Sequence, residues 1–233
     1  MNERGTGMAK ALTGEKLEKE LLRLEEMLVY ERQYSWAADI CGIDEAGRGP
    51  LAGPVVAGAV VLPKDCKILY LNDSKKLSEK RREELFVEIQ EKALAFAVGI
   101  VEPEEIDRIN ILQATYAAMR QAVGKLSRTP QVLLNDAVEI PGLPMKQVKI
   151  IHGDAKSLSI AAASVLAKVT RDHLMMDYDK QYPKYGFAKH KGYGTAAHIQ
   201  ALKEHGYCPI HRKTFIGKFV DVREKAKEAP EQE

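Results

Sequence analysis

The run Val55-Val-Ala-Gly-Ala-Val-Val-Leu62 is β-branched and almost wholly apolar, and Pro63 closes it. Such a run suits a central strand, because branched side chains fit a pleated surface and proline cannot continue a hydrogen-bonded ladder. A second apolar run, residues 38–43, ends only a glycine- and proline-rich turn upstream. Two strands this close in sequence pair most simply as antiparallel neighbours, the start of a meander. Between them lie Asp44 and Glu45, which lead straight into Gly47-Arg48-Gly49. Carboxylates at the end of a buried strand require a partner that offsets their charge, and a hard divalent cation is the obvious candidate.

Strands and helices then alternate. Residues 96–101, 131–136 and 148–151 read as further strands. Ser78 caps a helix running to about Leu94, and Pro103 opens a second with Ile106, Ile109, Leu112, Tyr116, Met119 and Val123 on one face. Residues 157–169 form a helix of unusually small side chains that continues towards Tyr182, where Pro183 stops it. A last helix over residues 195–205 ends at Gly206. Ahead of all of these, Leu17, Leu21, Leu24 and Leu28 mark one amphipathic helix ending near Tyr34. The pattern is that of a mixed-sheet α/β or α+β domain. It divides into residues 1–37 (a loose tail over 1–12, then the amphipathic helix), a main domain over 38–217 and a charged tail over 218–233.

At 45% hydrophobic residues, the 233-residue chain can fill a core, and no apolar run is long enough to span a membrane. The N-terminus lacks an apolar signal core, so the chain reads as cytoplasmic. Cys41, Cys66 and Cys208 are scattered, which argues against a disulfide framework and against a zinc site. A net charge of +2 says little about nucleic acid, but its distribution does. Residues 184–218 contain seven Lys/Arg, four His and the single acid Glu204, interleaved with Tyr185, Phe187, Tyr193, Tyr207 and Phe215. That is a surface suited to a phosphodiester backbone, with rings to lie against sugars or bases.

Asp44, Glu45, Asp136 and Asp154 each lie at or just beyond a strand end. Converging at one sheet edge, they would repel unless cations neutralised them, and an all-oxygen ligand set selects Mg²⁺ or Mn²⁺ over zinc. Paired ions about 4 Å apart serve in-line displacement at phosphorus. Gly47 and Gly49 let backbone groups approach a ligand closely, and Arg48 offers a fork for phosphate.

The chain resembles the bacterial type 2 ribonuclease H family, ribonuclease HII. The resemblance rests on residues 42–54, on Asp73-Ser-Lys-Lys-Leu77, on residues 153–172, on Lys189-His-Lys-Gly-Tyr-Gly-Thr195 and on His211-Arg-Lys-Thr-Phe215. It implies a ribonuclease-H-like fold: a mixed five-stranded sheet flanked by helices, with a helical C-terminal part. The N-terminal helix falls outside the common core. The family's metal-site acids match Asp44, Glu45, Asp136 and Asp154; its ribonucleotide reader matches Gly47, Arg48 and Gly49, and its junction-sensing tyrosine matches Tyr193. Lys75, Lys76 and Lys168 are candidate phosphate contacts, while His190 and His211 suit phosphate contact or packing better than metal binding. Asn135 departs from the apolar residue usual at its position. The implied protein is a monomeric Mg²⁺- or Mn²⁺-dependent endonuclease that cuts the RNA strand of RNA/DNA hybrids. It also cuts at ribonucleotides embedded in duplex DNA, leaving 5′-phosphate and 3′-hydroxyl ends. The alternative is a non-catalytic nucleic-acid-binding protein of the same fold.

Overall fold

Five strands join in one sheet of order β3-β2-β1-β4-β5: β1 Ile40–Ala46, β2 Val55–Val61, β3 Ala95–Val101, β4 Val132–Asp136 and β5 Lys146–Ile150. The computed structural model describes residues 14–222, so the tail expected over residues 1–12 and the charged segment from 223 onward lie outside the described residues. β1, β2 and β3 form the antiparallel meander, whereas β4 runs parallel to β1 and β5 parallel to β4. β2 is buried along its whole length, as a central strand covered on both faces must be.

Alternation along β1 assigns its side chains to two cores. Cys41 and Ile43 join Ala57 and Ala59 of β2 against Ala114, Ala118 and Met119 of helix α4 (Pro103–Gly124). On the opposite face lies helix α5 (Leu158–Gln181), whose Ala161, Ala162 and Ala163 permit close approach. The approach is close enough that a Cβ on Gly58 would collide with the Ala163 carbonyl oxygen. Outside α5 pack helix α3 (Glu79–Lys92) and the N-terminal pair α1 (Glu15–Met27) and α2 (Val29–Gln33), with Leu24, Met27 and Leu28 against Leu85, Ile89 and Leu166. Helices α6 (Phe187–His190), α7 (Ala196–His205) and α8 (Lys213–Ile216) make up the C-terminal part. Among the described residues, no helix is long and apolar enough to cross a membrane.

Two helices differ from the sequence reading. The single N-terminal helix is broken at Leu28, and it packs against the core as a built-in layer. Its Glu31 reaches α5: Oε1 accepts from Ser157 Oγ at 2.7 Å and from the Ser159 N–H at 2.9 Å, partnering donors at that helix's N-terminus. Helix α4 breaks at Asn110, which adopts φ 67° and ψ 163°. The Asn110 side chain caps the second segment by accepting from the Leu112 and Gln113 N–H groups at 3.0 and 3.1 Å. The break divides the expected apolar stripe, so Leu112 is exposed while Ile106 and Met119 are buried. The short asparagine side chain bonds its own backbone readily and tolerates positive φ, which periodicity alone does not register.

Candidate metal centre and substrate-reading turn

Pairing of β1 with β4 places Ile43 opposite Asn135, so Asp44 and Asp136 follow side by side at the carboxyl ends of two parallel strands. By alternation both belong to the face that α5 covers. Asp154 arrives from the other direction, in the single 3-10 turn Gly153–Ala155 that feeds α5, and the Gly153 N–H donates to Asp136 Oδ1 at 2.7 Å. Carboxylate oxygens of Asp44, Asp136 and Asp154 all lie within 4.8 Å of one another, with Asp44 and Asp154 buried. Glu45, one residue on, alternates away from this group and takes Arg48 Nη1 on Oε1 at 3.3 Å. Three of the four expected acids therefore cluster, with Glu45 at the margin.

Burial, and then the charges of Glu45 and Asp136, push the Asp44 carboxyl well above the usual carboxylate range. Burial also raises Glu45, against the opposing pull of Arg48. Asp154 is raised by burial and then by Asp73, whose carboxyl stands against it. Lys75 is raised too: burial works to lower its pKa, but Asp73, Asp154, Asp44 and Asp136 together outweigh it. An ammonium thus faces the acids and stays charged. Behind them, Ser164 of α5 lowers the Asp44 pKa against the stronger effect of burial, and its Oγ sits 2.9 Å from Ser74 Oγ.

The turn after β1 is held from within. Gly47 has φ 94°, and a Cβ there would collide with Arg171. Arg212, fully buried, gives all five of its N–H donors to this turn. Nε donates to the Gly53 carbonyl at 3.0 Å, and Nη1 donates to those of Arg48 and Pro50, both at 2.9 Å. Nη2 donates to those of Gly47 at 2.6 Å and Gly53 at 2.8 Å. Arg171 donates to the carbonyls of Pro54 at 2.9 Å and Ala52 at 3.0 Å, and to that of Lys191 at 2.9 Å. The last bond joins the turn to the loop carrying Tyr193, as does the Leu51 N–H on the Gly192 carbonyl at 2.8 Å. The Tyr193 side chain is exposed and lies against Gly49.

The remaining expected contacts divide. Lys75 and Arg48 are exposed beside the acids and Lys76 is exposed next to Lys75 in the chain, whereas the Lys168 ammonium is engaged by Asp172 at 2.6 Å. The basic, aromatic stretch is less of a surface than its composition suggests. Arg212, Tyr185, Phe187, Tyr207, His198 and His211 are buried, leaving Tyr193 as its exposed large aromatic. Asn135 is also buried; its Nδ2 donates to Gln147 Oε1 at 2.8 Å while its Oδ1 has no partner. Sequence reasoning missed Asp73, Ser164, Arg171 and Arg212. Asp73 opens a motif already singled out for its lysines, and Ser164, Arg171 and Arg212 also lie inside the motifs that carry the resemblance, but nothing in the sequence signals that the two guanidiniums are buried against backbone carbonyls.

The donor set of the acid cluster is carboxylate oxygen only, partly desolvated and mutually repelling, which fits Mg²⁺ or Mn²⁺ and not a metal that seeks nitrogen or sulfur. The family described as Ribonuclease HII matches residues 41–218. A ribonuclease HII of Lachnoclostridium phytofermentans is 61% identical over 202 residues, covering 87% of this chain and 80% of that protein. Among solved structures, ribonuclease H2 from Pyrococcus horikoshii aligns with a TM-score of 0.66 and 28% identity, over 76% of this chain and 93% of the other. The RNase HII of a PCNA complex from Archaeoglobus fulgidus aligns with a TM-score of 0.60 and 26% identity, over 80% and 98%.

Proposed function

Since the chain belongs to the ribonuclease HII family and is an endoribonuclease of the ribonuclease H type, we propose that Asp44, Asp136, Asp154 and Glu45 form its metal-dependent catalytic centre. The substrate in this reading is the RNA strand of an RNA/DNA hybrid, or a ribonucleotide embedded in duplex DNA. The observation that carries it is the convergence of three carboxylates within 4.8 Å beside a turn that Arg171 and the Leu51 N–H tie to the loop carrying Tyr193. Mg²⁺ or Mn²⁺ bound there would supply Lewis-acid stabilisation of the charge on the attacking and departing oxygens.

The chain's own residues do the rest. Lys75, kept protonated by the acids around it, orients the scissile phosphate, and Lys76 lies beside it to take a neighbouring one. Backbone groups of Gly47 to Gly49 hydrogen-bond the 2′-hydroxyl, the one group that separates RNA from DNA at every position. Tyr193, against Gly49, stacks on the following deoxyribose and senses the missing oxygen. Because Arg171 ties the two reading elements together, the ribose and the next sugar are read at a fixed separation. Cleavage then leaves 5′-phosphate and 3′-hydroxyl ends, a reaction suited to DNA repair and replication.

The test is cleavage of a DNA duplex containing one ribonucleotide against the same duplex in all-DNA form, under Mg²⁺ and under Mn²⁺. Cutting is expected only in the first, on the 5′ side of the deoxyribose junction. Equal cutting of both would overturn the ribose-reading assignment.

A further inference from the structure

Beneath the Tyr193 loop lies a group of three histidines that the reaction does not use. His198 and His211 are buried, and His190 stacks on His198 with ring centroids 4.4 Å apart. Phe187 closes over His198 edge-on at 5.4 Å. Their partners leave each ring only one neutral tautomer. His198 Nδ1 is 2.9 Å from the Tyr193 carbonyl, which can only accept, so Nδ1 carries the proton and Nε2 a lone pair. His198 Nε2 faces His211 Nε2 at 3.0 Å, so His211 must be the donor. That leaves His211 Nδ1 unprotonated, and it receives the Cys208 N–H at 3.0 Å. His190 is fixed in the same way. Its Nδ1 accepts from the Gly192 N–H at 3.2 Å, and its Nε2–H donates to the Tyr185 carbonyl at 2.7 Å.

Each hydrogen bond in the main chain of contacts runs in one direction, from the Cys208 backbone through two imidazoles to the Tyr193 carbonyl. Burial supports the neutral state, lowering His198 to about 4 and His211 to about 3. Arg171 on the Lys191 carbonyl and the Leu51 N–H on the Gly192 carbonyl anchor the first part of the loop, while the Tyr193 carbonyl is held by the His198 ring and the Thr195 N–H. We propose that His190, His198 and His211 are positioning residues, a proton-ordered relay that fixes the Lys191–Tyr193 backbone and so aims the tyrosine at the junction sugar. This rests on the reading of Tyr193 as junction sensor.

Three variants and one spectrum test it. Histidine ¹⁵N correlation spectra of the full chain at pH 7.5 should show three neutral rings, protonated at Nε2 in His190, Nδ1 in His198 and Nε2 in His211. Any other tautomer at His198 or His211 overturns the relay even where a variant fails to fold. In activity, the readout is the ratio of cleavage at a single-ribonucleotide junction to cleavage of a continuous hybrid. His198→Phe removes the side-chain donor to the Tyr193 carbonyl, leaving it only the Thr195 N–H, and should lower that ratio about tenfold. His198→Asn, whose amide reproduces a donor at the Nδ1 position, should restore most of it. Tyr193→Ala serves as the reference. An unchanged ratio in His198→Phe alone refutes the positioning role; an unchanged ratio in both His198→Phe and Tyr193→Ala refutes the tyrosine as reader.

Discussion

Replacing Asp44 with asparagine should stabilise the metal-free protein while abolishing its Mg²⁺-dependent cleavage. Asp44 shares with Asp136 and Asp154 a volume in which all three carboxylates have oxygens within 4.8 Å. At an effective dielectric of about 20, two unit charges at that separation repel by about 3.5 kcal/mol, so Asp44 would experience about 7 kcal/mol from two such neighbours. A carboxyl can escape by taking up a proton. For a group with an ordinary pKa of 3.8, remaining protonated at pH 7 costs about 4.4 kcal/mol, which caps the penalty. Asparagine removes the charge, and its Oδ1 can still accept the 2.7 Å bond from the Glu45 N–H. A gain of about 2–4 kcal/mol is expected, and at roughly 2–4 °C per kcal/mol for a domain of this size the melting temperature should rise by about 4–16 °C.

Thermal unfolding in EDTA and across a Mg²⁺ titration, at pH 7, separates the two effects. The wild type should gain about 2.7 kcal/mol at a Mg²⁺ concentration a hundredfold above its dissociation constant, and Asp44→Asn should gain little. The stability order seen in EDTA should therefore narrow or invert as Mg²⁺ is added. If Asp44→Asn melts at or below the wild type in EDTA, the acids do not repel as argued. An equal Mg²⁺-induced rise in both proteins would place the metal elsewhere.

Two further outcomes follow from the buried groups. Arg212→Lys should cost about 3–5 kcal/mol in urea unfolding, because one ammonium cannot meet the four carbonyls that the guanidinium serves and buried acceptors are left unpaired; a loss under 1 kcal/mol would refute the clamp. His198 and His211 have folded-state pKa values below their unfolded 6.5, so their contribution is complete above pH 6.5 and is lost as pH falls towards about 4. Lowering pH from 7 to 5 should cost the fold about 2 kcal/mol for each of them. Asp44, Glu45 and Asp154 have raised values and act in the opposite sense, so the measurement is the difference between wild type and His211→Gln. Identical pH profiles for the two would exclude the histidine contribution.

Residue chemistry made Asp44, Asp136 and Asp154 legible before any coordinates, since an acid that closes an apolar strand has few structural reasons to be there. The same reasoning placed Glu45 with them; as the next residue of β1 it stands at the margin of the group, where its charge still acts on Asp44. Arg212 shows where composition misleads. Counted along the chain it belongs to a basic stretch, yet it is fully buried with five carbonyl-directed bonds, and only the path of the turn after β1 shows this. The histidines differ, because their backbone partners lie two to five residues away and only the ring-to-ring contact of His198 with His211 spans a longer separation. The break at Asn110 was within reach of sequence reasoning, through a side chain that caps as readily as it continues a helix.

Helix α5 is the element to which the proposed metal centre and the proposed reader both refer. The turn ahead of it carries Asp154, Ser164 acts on the Asp44 carboxyl, and Arg171 beyond holds the Gly47 turn and the Tyr193 loop together. Its depth against the sheet is set by the absence of a side chain at Gly58. A change that lifts α5 therefore moves Asp154 and the reading elements together, and activity and ribose selection should fall in step. A change at Arg212 or His198 acts on the turn or the loop alone. Selection should then fall while cleavage of a continuous hybrid persists, because Asp44, Asp136 and Asp154 keep their places. The two kinds of variant thus differ in kind and not in degree, which makes the division between metal centre and reader measurable in one protein.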